Sequence, residues 1–550
     1  MRKINTDLKY LIAIWGLLTL VLILTFAHHG SLLVDCGREA YYSTQVLQGK
    51  VLYKDIFNIY GPFSYMFNAF LFKIFGINLN VLYLAGCICA FLITSLTYLI
   101  AKRFMNEFVS FAISTFTIMV GVLNTNLFNM IFPYSYGMLY GIVAVLFSIW
   151  LLLKYEETPE KISYLYLCAL CAGLCIANKY EFLPYFLVIF YAAYKVKPLN
   201  FKQYGLLTLS LIFIPALNFA ILFLQGMSLS DLTTTGLIIN KMTHTKTLEY
   251  FYQHTGTFLH KKTFPFLTQK FLAVTIPLAL LFFAATRKNK ILSVVLAIIP
   301  TLWIFTKLNV DSFVFLPILI FLWIAFNFKN IRNNTKLMIL ALSSLFLNMK
   351  IFWGLLIFCY GTYLVNLNFI TIIALVLDRF KEKNINQKVI ASYLIIASVS
   401  FYFINLPRLH SKMHALSTPR GKIYVEQNLF PSTNELIKYI QTNTKKTDTI
   451  MIFPEGQLIN FLTDRKSDNT YGSLIPLYIE TFGEDNIIAH FTKTKPEYII
   501  FNNWDYHDYF YSHICNDYAQ TFCAFVAQNY TQKELFDNEG FRYLIFKLKR

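Results

Sequence analysis

Long apolar runs broken by short polar punctuation fill the chain up to about residue 405, and the pattern then changes to mixed polar and apolar positions. The first run, residues 10–27, follows Arg2, Lys3 and Lys9 and is long enough to cross roughly 30 Å of hydrocarbon as a helix. It has no convincing small-residue cleavage site, so it is read as a retained helix with its N-terminus inside. Basic clusters at Lys102/Arg103, Lys154/Lys161, Lys195/Lys197/Lys202, Arg287/Lys288/Lys290, Lys329/Arg332/Lys336 and Arg379/Lys381/Lys383/Lys388 each close one run and open the next. Placed on the cytoplasmic side, as the positive-inside rule directs, they give about thirteen spans. The centres fall near Leu18, Ala90, Thr115, Val143, Leu170, Val188, Leu211, Ile276, Ala297, Ile320, Leu342, Phe369 and Ile396. An odd count puts the C-terminus outside. It leaves residues 28–78, 123–134, the turn near Lys179, 225–266, 306–312 and the turn near Lys350 as external connections.

After residue 404, turn residues, charges and short β-rich runs replace the continuous apolar stretches, over a length of about 145 residues that suits one soluble domain. Ser432 as an N-cap, with apolar residues at helical spacing after it, predicts a helix over 432–442. Strands are expected over 449–453 and 497–501. The expected fold class is a polytopic α-helical membrane protein over 1–404, with juxtamembrane helices in the loop 28–78, and a periplasmic α/β domain over 405–550.

Composition sharpens this reading. Of 550 residues, 56% are hydrophobic and 14% charged, too apolar and too charge-poor for a soluble globule. The net charge of +18, from 48 Lys+Arg against 30 Asp+Glu, would alone permit nucleic-acid binding, which needs a basic solvated face. Confinement of the charges to clusters between apolar runs argues against nucleic acid and for membrane lipids as partners. Cys87, Cys89, Cys168, Cys171, Cys175 and Cys359 lie inside apolar runs and act there as small hydrophobes. Cys36, Cys515 and Cys523 are expected to face solvent. Cys515 and Cys523 would suit a disulfide in an oxidising compartment, yet eight residues apart on one helix they could not meet.

The first external loop reads Asp35-Cys36-Gly37-Arg38-Glu39-Ala40-Tyr41-Tyr42, then Gly49 to Asp55, then Tyr60-Gly61-Pro62. Three acids and three bases within about 20 residues of a membrane surface point to a polar cavity, because a charge drawn towards hydrocarbon is costly. Ala40, Tyr41, Val46 and Leu47 form an amphipathic pattern that Gly49 terminates, so a helix lying in the membrane interface is expected. A second such helix should follow Pro62 over 63–75. Tyr60, Gly61 and Pro62 would form the turn between them, Gly permitting unusual dihedrals and Pro fixing its own.

These residues resemble the first external loop of the GT-C glycosyltransferases, integral-membrane enzymes that include protein O-mannosyltransferases and the lipid A aminoarabinose transferase. In bacterial members an Asp just past the first helix is followed by Gly-x-x-x-Tyr-x-Asp and by Tyr-Gly-Pro. Here these elements are Asp35, Gly49 to Asp55, and Tyr60 to Pro62. The Pro454-Glu455-Gly456 and Phe461 to Arg465 segments also look like the external domains of bacterial members, so the resemblance touches most of the chain. It implies transfer of a sugar, with inversion, from a polyprenyl-phosphate donor to a glycolipid, glycan or protein acceptor at the periplasmic face of a bacterial inner membrane, lipopolysaccharide among the acceptors. Such a reaction needs a carboxylate to take the acceptor's proton and cations to stabilise the departing phosphate.

The resemblance places the base at Asp35. The alternative, an N-cap of the juxtamembrane helix, lacks its capping-box partner because Arg38 stands three residues on. Arg38 either grips the donor phosphate or pairs with Glu39 or Asp55. Glu39 and Asp55 are each a second acid or a brace of the loop, and Asp55 is also the candidate ligand for a possible divalent metal.

The chain departs from the family in residues 123–134, where Asn124, Asn126 and Asn129 stand and many members carry another acid. Lys179 and Glu181, at an external turn, are a structural pair or face the donor phosphate. Residues 225–266 hold Lys241, His244, Lys246, His254, His260, Lys261 and Lys262 against Asp231 and Glu249. Lys241 and Lys246 are the candidate phosphate ligands of this basic patch, whose alternative is a flexible loop on lipid phosphates. His244 and His254 lack compact metal-ligand spacing. No Gly-rich nucleotide cradle, P-loop or Ser-His-Asp order stands out. A transporter of a lipid-linked glycan is the competing class, disfavoured by the lack of paired repeats and by the large external domain.

Overall fold

Apolar runs in hydrocarbon must satisfy every backbone group within their own segment, which a helix does. The computed structural model describes residues 6–125, 127–254, 264–287, 315–349, 357–382, 385–468, 470–538 and 540–550, with 289, 292, 295 and 296 between them. The chain opens with α1 (Thr6–Thr25), α2 (Cys36–Leu47), α3 (Phe63–Phe75) and α4 (Leu79–Ala101). Next come α5 (Glu107–Thr117), running into a π-helical turn, then α6 (Tyr136–Glu157), α7 (Ser163–Asn178), α8 (Phe186–Lys195) and α9 (Phe201–Leu224). After α10 (Leu229–Thr243) and α11 (Lys246–His254) follow α12 (Phe264–Ala285), α13 (Leu316–Ile331), α14 (Thr335–Leu347), α15 (Ile357–Arg379) and α16 (Gln387–Ser411).

Every expected span centre except Ala297 lies on one of these helices. Ala297, residues 306–312, the turn at Lys350, and Asn126, His260, Lys261, Lys262, Lys288, Lys290 and Lys383 lie outside the described residues. Among the described residues, five helices, α1, α4, α6, α9 and α16, are long and apolar enough to cross a membrane, and the chain is a membrane protein.

All strands among the described residues come after α16. β1 (His414–Thr418) and β2 (Gly421–Val425) pair antiparallel, and their turn covers the start of α4. There Leu79 N–H donates to Arg420 O at 2.8 Å and Asn78 Nδ2 to Pro419 O at 3.2 Å. Then follow α17 (Phe430–Asn443), β3 (Ile450–Phe453), α18 (Gln457–Thr463), α19 (Pro476–Phe482), α20 (Glu484–Thr494), β4 (Tyr498–Asn502), α21 (Gln520–Asn529), β5 (Tyr530–Asn538) and β6 (Phe541–Leu548). The sheet order is β3-β4-β6-β5, with β3 parallel to β4 and the remaining pairs antiparallel. Each residue of β3 and β4 is buried, as continuous apolar strands covered on both faces should be.

The helix expected at 432–442 starts earlier, at Phe430. Pro431 suits its first turn, and Ser432 Oγ donates to Phe541 O at 2.6 Å instead of capping. Cys515 and Cys523 are bonded, with Cα atoms 5.6 Å apart. This corrects the expectation of one shared helix: α21 begins at Gln520, and Cys515 lies in the preceding turn at φ +72°.

α2 is enclosed by protein on several sides: Gly37 and Tyr41 meet the α/β part, while Glu39 meets α3 and α6. A Cβ on Gly37 would stand 2.4 Å from Leu458 N, and Ser467 N–H donates to Tyr41 Oη at 2.5 Å. α3 does keep Phe70, Ile74 and Phe75 exposed, as an interfacial helix would. Buried Lys412, just after α16, donates to Gly30 O at 2.6 Å and Thr125 O at 3.1 Å, fastening the α/β part to the loop after α1 and the loop before α6.

Candidate functional site

Asp35 immediately precedes α2 and does not cap it. Its φ is +57° and ψ −50°, and its side chain makes no cap bond. Cys36 N–H donates instead to Val34 O at 2.6 Å, closing a three-residue γ-turn of the rare positive-φ kind with Asp35 at the apex. Such a conformation costs on the order of 1–3 kcal/mol in an L-residue, so neighbouring contacts must hold it. Arg38 Nη1 lies 3.3 Å from Asp35 Oδ1, and Glu455 shares a cavity with Asp35. The Asp35 side chain is enclosed by protein yet 26% exposed, because it opens on a small cavity. That cavity, about 40 Å³, is also lined by Arg38, Tyr42, Glu455, Gln457 and Tyr478. It has room for roughly three waters.

Two cations converge beside it on a pair of tyrosines. Arg38 Cζ stands 4.9 Å from the Tyr60 ring centroid and 5.6 Å from that of Tyr134, while Lys179 Nζ stands 4.5 and 4.8 Å from the same rings. The two phenols are hydrogen-bonded to each other. Lys179, 1% exposed, follows the last residue of α7, where the helix carbonyls favour a positive charge. Tyr60 reaches it because Gly61 N–H donates to Asn178 O at 3.0 Å. A Cβ on Gly61 would stand 2.1 Å from Ala177 O. The glycine of Tyr-Gly-Pro is therefore required for close approach to a helix end, whereas the sequence pattern assigned it unusual dihedrals.

Electrostatics follow from this enclosure. Burial raises the Asp35 carboxyl, while Arg38 and Lys179 pull it down. Burial raises Glu455 too, and the neighbouring Asp35 charge raises it further. Glu39 is fully buried and accepts Tyr136 N–H at 3.0 Å and the Tyr65 hydroxyl at 3.3 Å, so it braces the start of α6. Burial pushes its carboxyl up to about 7 against the pull of Arg38. Asp55 accepts Val51 N–H at 2.9 Å within its own loop, and Arg38 pairs with Asp35 and Glu39 rather than with it.

Lys241 and Lys246 are exposed, and the cations whose charge reaches Asp35 are Arg38 and Lys179. The segment carrying them is folded and docked, which corrects the flexible-loop alternative. Glu480 of α19 receives Lys246 N–H and Thr247 N–H, both at 2.9 Å, capping α11, and Phe251 stacks on Tyr509 at 4.5 Å. His244 is hydrogen-bonded to Asn240 O and His254 to the Tyr250 hydroxyl, each within its own helical stretch. Among the described residues no three His, Cys, Asp or Glu side chains gather as metal ligands.

Glu455 was visible in the sequence only as part of a Pro-Glu-Gly likeness. The structure carries it, and Tyr478 and Tyr506 with it, from the other end of the chain to Asp35. Its one local signal is a carboxylate between Pro and Gly directly after a fully buried strand.

No family model matches the chain, and no curated protein matches it. Solved structures do. The oligosaccharyltransferase of Archaeoglobus fulgidus in the apo form matches with a TM-score of 0.51 at 12% identity, over 91% of this chain and 70% of that one. The same enzyme tethered to an acceptor peptide matches with a TM-score of 0.51 at 11% identity, over 100% and 74%. ArnT from Cupriavidus metallidurans bound to undecaprenyl phosphate matches with a TM-score of 0.43 at 10% identity, over 98% and 97%. The oligosaccharyltransferase likeness shows that the fold is the one implied by the GT-C resemblance.

Proposed function

We propose that this chain, with the fold of an oligosaccharyltransferase, is an inverting glycosyltransferase that moves a sugar from a polyprenyl-phosphate donor to an acceptor at the periplasmic face of a bacterial inner membrane. Residues 1–404 form the membrane catalytic part and 405–550 the external domain. The observation that carries the reading is Asp35, held at a strained turn, opening on a cavity and flanked by Arg38 and Lys179.

Asp35 takes the proton of the acceptor hydroxyl as its oxygen attacks the anomeric carbon. The bond from that carbon to the phosphate oxygen breaks, and its electron pair stays on the phosphate. Arg38 and Lys179 stabilise the charge that develops there, a role in which one preorganised donor is worth about 3 kcal/mol. The Tyr60 and Tyr134 rings keep both cations in place through their faces.

The test is mass spectrometry of surface glycolipids and glycoproteins from host cells lacking the chain, complemented at equal membrane levels by wild type or Asp35→Asn. A sugar increment restored only by wild type supports a transferase using Asp35. The same increment with both removes Asp35 from the reaction and favours a transporter of a lipid-linked glycan.

A further inference from the structure

We infer that Glu455, from the loop after β3, is a positioning residue of the transfer site: it lines the same small cavity as Asp35 and holds the turn that aims Asp35 into it. This rests on the transferase reading of Asp35 given above.

The Asp35 turn has positive φ; Cys36 N–H closes it on Val34 O, and Arg38 holds Asp35 from one side through its N–H on Asp35 O at 3.0 Å and its Nη1 at 3.3 Å from Oδ1, so a partner on the cavity side completes the fixing. Glu455 stands beside that turn in the same cavity, and its Oε2 is itself fixed by the Tyr506 hydroxyl at 2.8 Å. The Glu455 backbone is fixed as well, since its carbonyl accepts Asn502 Nδ2 from the end of β4 at 2.8 Å. A Cβ on Gly456 would stand 2.3 Å from Ile452 Cγ2, so the chain leaves β3 by a tight path. Below it, the close approach of Gly37 to Leu458 locks α2 to α18 and holds the two carboxyls in register.

Two carboxyls in one small cavity resist ionising together. Asp35 faces Arg38 and Lys179, together with Cys36, Tyr60, Tyr478 and Tyr509. Glu455 faces Asp35 and Arg38, with Tyr42, Tyr506, Tyr509 and Tyr518 around it. Asp35, with two cations, is the ionised partner at neutral pH, and Glu455 is the protonated one. When Glu455 loses its proton at alkaline pH, a second negative charge arises beside the site of the departing phosphate, and transfer slows.

The experiment uses the purified full chain and envelope membranes from host cells lacking it, which supply their own donor and acceptor lipids. The rate of the sugar mass increment is followed across neutral and alkaline pH, and thermal unfolding checks each variant. Glu455→Gln, which stays neutral and can still accept a hydrogen bond, should lose about threefold at neutral pH, and Glu455→Ala about a hundredfold. Glu455→Gln should also lack the alkaline fall of wild type, a change that a purely structural residue would not produce. Glu455→Ala at the wild-type rate and pH profile overturns the inference. If that variant does not fold, an alkaline fall retained by Glu455→Gln overturns it. Loss in Asp35→Asn with no loss in Glu455→Ala removes Glu455 alone, whereas wild-type transfer by Asp35→Asn removes the reading beneath it.

Discussion

Two loops of this chain, residues 28–78 and 225–266, carry conspicuous charge, and they come to opposite ends. In the first, Asp35, Arg38 and Glu39 are driven between the membrane helices and the α/β part, where Arg38 and buried Lys179 share the faces of Tyr60 and Tyr134. In the second, α10 and α11 dock through backbone bonds to Glu480 and through stacked rings, while Lys241 and Lys246 stay in solvent. A charge in water is screened, and the same charge enclosed by protein acts strongly on its neighbours. Charge density along the chain therefore marks both loops, and burial singles out the one on which the proposed transfer site rests.

The largest expected effect tests that contrast directly. Arg38→Ala or Lys179→Ala should slow transfer in the envelope-membrane assay by about a hundredfold, and Lys241→Ala or Lys246→Ala by less than about twofold. Comparable losses from both pairs would abolish the distinction between the loops. Gly61→Ala comes next. Its methyl would meet the Ala177 carbonyl and push Tyr60 from the end of α7, lowering unfolding stability by about 2 kcal/mol, visible as a reduced midpoint. An unchanged midpoint would mean that the loop closes on the helix without the close approach.

A pH series sharpens the picture inside the buried loop. Glu39 holds its proton in the folded chain up to about 7, against 4.5 in its ordinary state. The folded chain thus binds more protons between those values, and stability falls as pH rises through the window, by on the order of 3 kcal/mol. Glu39→Gln should flatten that fall in thermal unfolding at pH values on either side of the window; an equal slope would locate the proton elsewhere. The smallest effect belongs to the exposed loop. Glu480→Ala removes the cap of α11, about 1 kcal/mol of local stability, and should speed amide exchange in residues 246–254 while transfer changes by less than about twofold. Protection equal to wild type would show that the stacked rings alone dock the loop.

The sequence by itself determined where most of the long apolar helices are. Apolar run length maps onto membrane thickness, so the expected centres among the described residues fall on helices, and α3 starts after Pro62 and stops at Gly76 with φ +86° as its punctuation directs, whereas α10 and α11 lie in a segment read as a connection. Asp35 and Arg38 were also legible, through short motifs whose order is local to one loop. Periodicity reports which positions are polar and is silent on what covers them, so the amphipathic pattern of α2 carried no sign that α18, α3 and α6 enclose it. The helix boundary at Gln520 likewise decided whether Cys515 could reach Cys523. Only the tertiary structure placed Glu455 in the cavity of Asp35 and stacked Lys179 on Tyr60 and Tyr134. Those contacts join residues far apart in the chain, and their geometry depends on backbone approaches at Gly37 and Gly61 that local pattern does not encode.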